Sequence, residues 1–168
     1  MNTNQLQCAI ESDSKMKDSI YGVFASDEIS NIQLRPMSGL IANTDVKSLP
    51  GQHWIAFYLN TKETLEIFDS YGSSIDQLTL YFQHFLNRYS TIKTNGKRLQ
   101  STETRVCGQY CLFYLMSRVR GHSMEDVIQT FGNNYSFNDQ FVYNDIDERF
   151  HCCMTFVNDN CQSCTVCK

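Results

Sequence analysis

The clearest hydrophobic pattern in the chain consists of two apolar segments separated by a few polar residues. Residues 53–59 read His-Trp-Ile-Ala-Phe-Tyr-Leu, and residues 64–71 read Thr-Leu-Glu-Ile-Phe-Asp-Ser-Tyr. Aromatic and β-branched residues, which favour strands, are frequent in both segments, and the polar residues between them are typical of a turn. The pattern predicts an antiparallel hairpin.

The pairing of this hairpin decides which polar side chains meet. If the pairing is centred near Thr61, His53 faces Asp69 directly. If it is shifted by two residues, Tyr71 lies opposite His53 and Asp69 is diagonal to it. In both registers the imidazole and the carboxylate share one face, at about 4.5–8 Å between Cβ atoms. A shift of one residue would place them on opposite faces.

A third apolar segment begins at Cys107. Residues 107–116 are apolar on nearly every side of a helix, which predicts a fully buried helix that ends near Gly121. Cys107 would lie at its N-terminal end, where unpaired backbone N–H groups and the helix dipole favour a thiolate. The alternative is that Cys107 and Cys111, four residues apart on one face, are both small core residues.

Weaker patterns predict the other elements. Apolar residues recur at spacings of three and four after Ser74 and after Ser123, so each serine is predicted to cap a helix. The polar residues 1–15 are predicted to fray. The predicted elements are a short helix over 15–22, a strand over 40–44, a loop over 45–52, a helix over 75–89, a polar loop over 91–104, a helix over 123–131 and a packed segment over 137–150.

Length and composition indicate a single globular domain. The chain has 168 residues, of which 42% are hydrophobic and 19% are charged, so it is neither disordered nor fibrous. A net charge of −4 argues against a strongly basic nucleic-acid surface. The sequence has no apolar run as long as a membrane span, and its first residues lack the pattern of a signal peptide. We therefore expect no membrane partner, no secretion, and cysteines that are thiols.

The eight cysteines are unevenly distributed, and five of them lie after residue 151. Cys161, Cys164 and Cys167 have a C-x₂-C spacing, which can bind zinc. The turns between them lack the usual glycines, so we favour a cysteine-rich end without metal. The chain is thus predicted to divide into a domain over residues 1–150 and a cysteine-rich tail over residues 151–168.

Three residues supply the groups needed for nucleophilic catalysis by a thiol. A thiolate nucleophile needs a base that takes its proton and a third group that orients the base. Cys107, His53 and Asp69 fit these roles, and His53 is the histidine that lies in a predicted strand beside an acid. The developing oxyanion needs donors, which the Cys107 backbone N–H and the Gln100 side chain can supply. Taken singly, each residue also has an ordinary structural explanation.

An ordered set of motifs resembles the adenovirus-type cysteine endopeptidases, which are adenain and its relatives in adintoviruses and Polinton/Maverick elements. The resemblance covers about residues 20–142, and the order of the motifs makes it specific. The motifs are residues 22–27 (Gly-Val-Phe-Ala-Ser-Asp), 41–44 (Ile-Ala-Asn-Thr), 51–57 (Gly-Gln-His-Trp-Ile-Ala-Phe), 68–72 (Phe-Asp-Ser-Tyr-Gly), Gln100 and 107–111 (Cys-Gly-Gln-Tyr-Cys).

This resemblance implies an α+β fold shared with SUMO-specific proteases, in which a mostly antiparallel central sheet packs against a buried nucleophile helix. It implies Cys107 as the nucleophile, His53 as the general base and Asp69 as the orienting acid. Gln100 would be the oxyanion donor, and Trp54 would pack beside the histidine. The implied substrates are viral or transposon-encoded structural precursor proteins, often cleaved after glycine, in the virion or in the host nucleus or cytoplasm.

The chain departs from the adenovirus enzymes in three respects. They usually carry Glu where this chain has Asp69, although other members of the wider clan use Asp. They are basic and are stimulated by DNA and by a disulfide-linked peptide. This chain is acidic and has no cysteine between Asp69 and Cys107. The sequence therefore supports neither a nucleic-acid activator nor a peptide activator, and we expect no required cofactor.

Two other functions are compatible with the motifs. The order His-Trp, Asp, Gln and Cys-Gly is shared with SUMO proteases, so an isopeptidase acting on ubiquitin-like modifiers is one alternative. A non-catalytic, zinc-stabilised binding module, with the cysteine-rich tail as its binding part, is the other. The seven-residue step from Gln100 to Cys107 favours the endopeptidase, and the complete set of catalytic residue types argues against a degenerate module.

Overall fold

A five-stranded mixed sheet lies at the centre of the computed structural model, which describes residues 1–154. Its strands follow chain order across the sheet and are β1 (Ile20–Phe24), β2 (Ser38–Asn43), β3 (Trp54–Leu59), β4 (Leu65–Phe68) and β5 (Ile92–Thr94). The helices are α1 (Thr3–Ser12), α2 (Ser14–Ser19), α3 (Ile75–Leu86), α4 (Cys107–Arg118), α5 (Met124–Gln129) and α6 (Tyr135–Met154), with a 3-10 helix at Ser26–Glu28.

The sheet is antiparallel at its centre and parallel at both edges. Strands β2, β3 and β4 pair antiparallel, whereas the β1–β2 and β4–β5 pairs are parallel. A parallel neighbour requires a crossover connection, and α3 provides one between β4 and β5. The predicted α+β class is confirmed. The predicted antiparallel character holds for the three central strands.

The β3–β4 hairpin adopts the shifted register of the two that the sequence allows. Leu59 pairs with Leu65. Continued beyond the ladder, this register places Tyr71 opposite His53 and Asp69 diagonal to it. Residues that differ by two in register lie on the same face of a sheet, so the imidazole and the carboxylate stay on one side.

Strand β3 is buried on both faces, which explains why its whole length is apolar. Ala56 and Tyr58 pack into the core formed with α1, α4 and α6, whereas Ile55 and Phe57 pack into the core under α3. This alternation follows from the two-residue period of a strand. The residue immediately before β3, His53, is therefore anchored by a segment held from both sides.

Helix α4 is buried over most of its length, as its apolar pattern predicts, and an ion pair ties it to β4. The Arg118 guanidinium (Nε) lies 2.7 Å from Glu66 Oε2, and the Tyr114 hydroxyl donates to the same oxygen at 2.6 Å. Glu66 is 5% exposed and Arg118 7% exposed, so this pair is shielded from water. The contact fixes the helix that begins at Cys107 against the strand that leads to Asp69.

Two segments predicted to be irregular form regular elements. The N-terminal residues fold as α1, where Asn2 provides a capping box and Leu6 and Ile10 are buried. Strand β5 lies within the predicted 91–104 loop. Both predictions were wrong because each segment has too few apolar residues to show a period. The helix predicted over 15–22 is shorter, since α2 ends at Ser19 and β1 begins at the next residue.

The other predicted helices are confirmed, with different ends. Ser74 caps α3 and Ser123 caps α5 through the expected side-chain bonds. Helix α6 extends beyond the predicted segment at both ends and passes the predicted domain boundary at residue 150. Phe137 was predicted to pack, but it is 70% exposed.

Cysteine chemistry differs from the prediction at one described position. Cys8 is disulfide-bonded, so the expectation that all cysteines are thiols is wrong there. Cys161, Cys164 and Cys167 lie outside the described residues, and their zinc binding stays a prediction. Within residues 1–154, no group of three His, Cys, Asp or Glu side chains is placed to hold a metal. In the same part of the chain, no helix combines the length and apolarity needed to cross a membrane.

Candidate active site

Cys107 is the first residue of α4 and is 8% exposed. The preceding residue, Val106, makes no side-chain capping bond, so the first N–H groups of the helix are left for other acceptors. Gly108 follows, and a Cβ atom there would lie 3.3–3.4 Å from atoms of Leu6, Met1 and Trp54. The small residue therefore lets the N-terminus of the chain and Trp54 pack close to the sulfur-bearing turn.

The hairpin brings His53 and Asp69 together. Nε2 of His53 lies 2.6 Å from Oδ1 of Asp69, and the Asp69 side chain is only 1% exposed. Two backbone donors orient the carboxylate: the Tyr71 N–H at 2.9 Å on Oδ1 and the Ser73 N–H at 3.0 Å on Oδ2. The backbone that follows Asp69 thus turns back within four residues and holds the carboxylate that faces the imidazole.

Asn95, just after β5, holds the backbone of Asp69. Its side-chain oxygen accepts from the Asp69 N–H at 2.9 Å, and its amide group donates to the Asp69 carbonyl at 2.8 Å. The amide also donates to the Lys97 carbonyl at 2.7 Å. The sequence identified Asn95 only as part of a turn with Gly96, because nothing local indicates which strand end a turn residue will meet.

The second imidazole nitrogen of His53, Nδ1, is buried and has no hydrogen-bond partner among the described residues. The imidazole is close enough to the Cys107 sulfur that it lowers the pKa of the thiol, while the sulfur raises the pKa of His53. The Tyr71 ring lies against the imidazole, with 4.6 Å between centroids and 30° between planes. The structure therefore brings Cys107, His53 and Asp69 together in that order.

Electrostatics at this site favour an ion pair over two neutral groups. Burial alone would disfavour the charged imidazole, but the hydrogen bond to Asp69 and the contact with Cys107 outweigh it and raise the pKa of His53 from 6.5 to about 9. Burial likewise opposes ionisation of Cys107, but the His53 hydrogen bond and charge lower its pKa overall. The pKa of Asp69 is also lowered, because His53, Ser73 and Tyr71 outweigh its burial.

Cys111, one turn along α4, is chemically different. It is 1% exposed, and burial raises the pKa of its thiol well above the usual value. A protonated, inaccessible thiol is neither a nucleophile nor a ready target for alkylation. The two cysteines that look equivalent on the helix face thus have opposite properties.

We expect Cys111→Ala to lower the free energy of unfolding by about 1 kcal/mol, because it removes a buried sulfur from the core. Urea denaturation followed by circular dichroism measures this change. The rate at which iodoacetamide labels Cys107, followed by intact mass, should be unaffected. Loss of the rapidly labelled site in the Cys111→Ala variant would show that Cys111 is the reactive thiol.

Gln100 is fully buried in the loop before α4. Its side-chain oxygen accepts from the Ser70 hydroxyl at 2.7 Å. Its side-chain nitrogen donates to the Thr104 carbonyl at 3.0 Å and has a longer contact of 3.3 Å with the Thr104 hydroxyl oxygen. The amide is thus already oriented by the protein, with its nitrogen towards the segment that leads into Cys107.

Trp54 lies beside the nucleophile rather than on the histidine ring, which Tyr71 covers. Its indole N–H donates to the Met1 carbonyl at 3.0 Å, and its backbone N–H helps to lower the pKa of Cys107. Trp54 also borders a cleft of about 510 Å³ that extends past Met1 and Gly51 to Val46 and other residues of the 45–52 loop. The cleft therefore runs between the first residues of the chain and the 45–52 loop, and it meets the site at Trp54.

The fold is shared with solved structures that have little sequence in common with this chain. ChlaDub1 from Chlamydia trachomatis superposes with a TM-score of 0.59 over 95% of this chain and 93% of its own, at 9% identity. The central domain of Lpg1148 from Legionella pneumophila gives a TM-score of 0.54 over 92% and 97%, at 14% identity. These likenesses support the predicted fold class.

Sequence comparison connects the chain to a viral enzyme. The cysteine protease S273R of African swine fever virus is 32% identical over 103 residues, which is 55% of this chain and 37% of the relative. The same protein of another isolate, named SUMO-1 cysteine protease S273R, is 31% identical over 103 residues. No family model matches. The chain is homologous to this protease but spans little more than a third of its length, and membership of the adenain family itself stays a prediction.

Proposed function

We propose that residues 1–150 form a cysteine peptidase domain in which Cys107 is the nucleophile, His53 the general base and Asp69 the orienting acid. The observation that carries the proposal is the buried 2.6 Å contact between His53 Nε2 and Asp69 Oδ1, beside a Cys107 thiol whose pKa the imidazole lowers. Nucleophile, base and orienting acid in this order define the minimal unit for thiol-based acyl transfer. The homology to a cysteine protease supports the same conclusion.

The reaction then proceeds through an acyl-enzyme. The Cys107 thiolate attacks the substrate carbonyl carbon, forming a C–S bond and moving the carbonyl electrons onto oxygen. As the tetrahedral intermediate collapses, the C–N bond breaks and the leaving amine takes the proton from His53 Nδ1. A water molecule next gives a proton to Nδ1 and attacks the thioester, which releases the acid and restores the thiolate. Asp69 holds the imidazole through Nε2 in every step.

Two donors are proposed for the oxyanion. The Cys107 backbone N–H is at the start of α4, where it has no carbonyl partner within the helix. The Gln100 amide has two hydrogens, one held by the Thr104 carbonyl and one in the longer contact with the Thr104 hydroxyl. The second hydrogen is the one that an oxyanion would capture. A preoriented donor of this kind typically contributes about 10²–10³-fold to turnover.

The proposed substrates are structural precursor proteins of a virus or a virus-like transposon, cleaved after glycine in the virion or in the host nucleus or cytoplasm. The viral relatives and the resemblance to adenain support this. The cleft beside Trp54 is the proposed path for an extended segment of protein chain. The cysteine-rich residues 151–168 are proposed as a tail that begins within the last turn of α6, and neither DNA nor an activating peptide is assigned a residue in the reaction.

A second candidate function is favoured by one observation. Homologues are named SUMO-1 cysteine protease, so the same triad could act as an isopeptidase that releases ubiquitin-like modifiers. Both functions share the chemistry described above and differ in what the cleft accepts.

Two assays on purified wild-type protein test the proposal and distinguish the two functions. A library of Gly-Gly-X and Gly-X peptides reports endopeptidase activity by mass spectrometry, and SUMO-1 with a C-terminal vinyl sulfone reports modifier recognition by a covalent shift on Cys107. Peptide cleavage without SUMO labelling is expected. SUMO labelling at a much higher rate than a short Gly-Gly vinyl sulfone would favour the isopeptidase. Failure of both probes would contradict the proposed peptidase.

We expect a bell-shaped dependence of peptide hydrolysis on pH. Turnover should fall at low pH as the Cys107 thiolate is protonated, and it should fall above about pH 9 as His53 loses the proton that the leaving amine needs. Alkylation of Cys107 by iodoacetamide needs only the thiolate, so its rate should not fall above pH 9. Turnover that continues to rise through pH 10 would contradict this assignment.

A further inference from the structure

Asp139, on helix α6, is a buried carboxylate outside the triad. It is 4% exposed, and three donors from two segments converge on it. The Thr104 hydroxyl donates at 2.7 Å, the Ser101 backbone N–H at 3.1 Å and the Tyr110 hydroxyl at 3.0 Å. One side chain therefore joins the loop before the nucleophile, the nucleophile helix itself and α6.

These contacts constrain the direction of the Gln100 amide. The Thr104 hydroxyl gives its hydrogen to Asp139, so its oxygen can face the Gln100 nitrogen only as an acceptor. The Thr104 carbonyl accepts from the same nitrogen at 3.0 Å. Asp139 thus holds Thr104 in place and leaves the Thr104 hydroxyl oxygen as an acceptor for the Gln100 amide.

We propose that Asp139 is a positioning residue which, through Thr104, aims the Gln100 side-chain amide at the oxyanion formed during acyl transfer. Asp139 does not touch substrate. This inference rests on the proposed function, because Asp139 can orient Gln100 for catalysis only if the Gln100 amide donates to an oxyanion. Its neighbour Asn138 has a different task, since its amide donates to the carbonyls of Leu99 and Gly132 and so ties the loop to the α5–α6 connection.

A purely structural carboxylate and a positioning carboxylate differ in which reactions they affect. Alkylation of Cys107 by chloroacetamide displaces chloride at a saturated carbon and forms no oxyanion. Addition of the thiolate to a peptide aldehyde forms a C–S bond and places negative charge on the former carbonyl oxygen, as in the first step of hydrolysis. A misaimed Gln100 should therefore weaken aldehyde binding and turnover while leaving alkylation unchanged.

The test compares Thr104→Val, which removes the hydroxyl and keeps the shape, with Thr104→Ser, which keeps the hydroxyl. Asp139→Asn is the second variant, and Asp145→Asn, at a half-buried carboxylate on the same helix that pairs with Arg149, is its matched control. We expect Thr104→Val and Asp139→Asn to lower kcat on a Gly-Gly-aminomethylcoumarin peptide by about 10- to 100-fold. The KM should change less than threefold, and the Ki of a Gly-Gly aldehyde should rise by a similar factor to the fall in kcat.

In both variants chloroacetamide should label Cys107 within twofold of the wild-type rate. Thr104→Ser and Asp145→Asn should match wild type in every assay. Alkylation that falls in parallel with kcat, or a kcat that does not change, would overturn the positioning role. If Asp139→Asn does not fold, Thr104→Val against Thr104→Ser decides alone. Wild-type protein that neither cleaves the peptide nor binds the aldehyde would instead remove the proposed function, and this inference with it.

Discussion

Cys107→Ala should lower peptide hydrolysis by about 10⁵-fold or more, to the level of the uncatalysed background. Alanine leaves no sulfur at the start of α4 to form the acyl-enzyme. Cys111 cannot replace it, because that thiol is buried and its pKa is raised well above the usual value. Initial rates on a Gly-Gly peptide, measured against wild-type protein at equal concentration, give the change directly.

The same variant should keep its fold and its ability to bind substrate. Cys107 is small and contributes little area to the core, so the thermal midpoint should move by only a few degrees. Cys107→Ser is the informative companion, because a hydroxyl of high pKa fits the space but stays protonated beside His53 and should be almost as inactive. More than a hundredth of wild-type turnover in well-folded Cys107→Ala protein would show that the nucleophile lies elsewhere.

The part of the site that could be predicted from sequence is the part encoded locally. The hairpin follows from two apolar strands and a turn, and its register shift of two residues still leaves His53 and Asp69 on one face. The buried helix follows from an apolar run that begins at Cys107. These three residues meet because β3 and α4 are packed on each other through Ala56 and Tyr58.

What could not be predicted depends on contacts between distant segments. Strand β5 is short and polar, and it becomes a strand because β4 offers it an edge. Helix α1 has only a few apolar residues, yet it is ordered by packing on α4 and α6. Local periodicity carries no information about such partners, so the sequence of both segments predicts irregular structure.

The same limit applies to the residues around the triad. Asn95 holds the Asp69 backbone from 26 positions away, and Asp139 holds Thr104 from 35 positions away. Each is a polar side chain in a segment with no catalytic motif. One of the two predicted hairpin registers places Tyr71 opposite His53. The contact between its ring and the imidazole is seen only in the structure.

For Gln100, the sequence predicts a role but not the environment of the side chain. The motif indicates an oxyanion donor, whereas the fold buries the side chain and engages its oxygen with Ser70 and its nitrogen with Thr104. A donor fixed before substrate arrives loses little freedom when the oxyanion forms. The burial of Gln100 is thus consistent with preorganisation. The residues that hold the amide, Ser70 and Thr104, therefore matter for its proposed role as much as the amide does.

Asp69→Asn should reduce turnover by about 10²–10⁴-fold while leaving substrate affinity nearly unchanged. The carboxylate accepts from Tyr71 on one oxygen and from Ser73 on the other. An asparagine amide has only one oxygen, so an NH₂ group must face a donor on one side. If it faces Ser73, two donors oppose each other. If it faces His53, the imidazole proton moves to Nδ1, which can then no longer accept the Cys107 proton.

The pH profile distinguishes this mechanism from a general loss of structure. Without the Asp69 charge the pKa of His53 falls from about 9 towards 6.5, so the high-pH limb of the hydrolysis profile should move to lower pH. Asp147→Asn, at a half-buried carboxylate that pairs with His151 on α6, is the matched control and should keep the wild-type profile. An Asp69→Asn variant with a high-pH limb unchanged from wild type would exclude Asp69 as the group that holds the imidazolium.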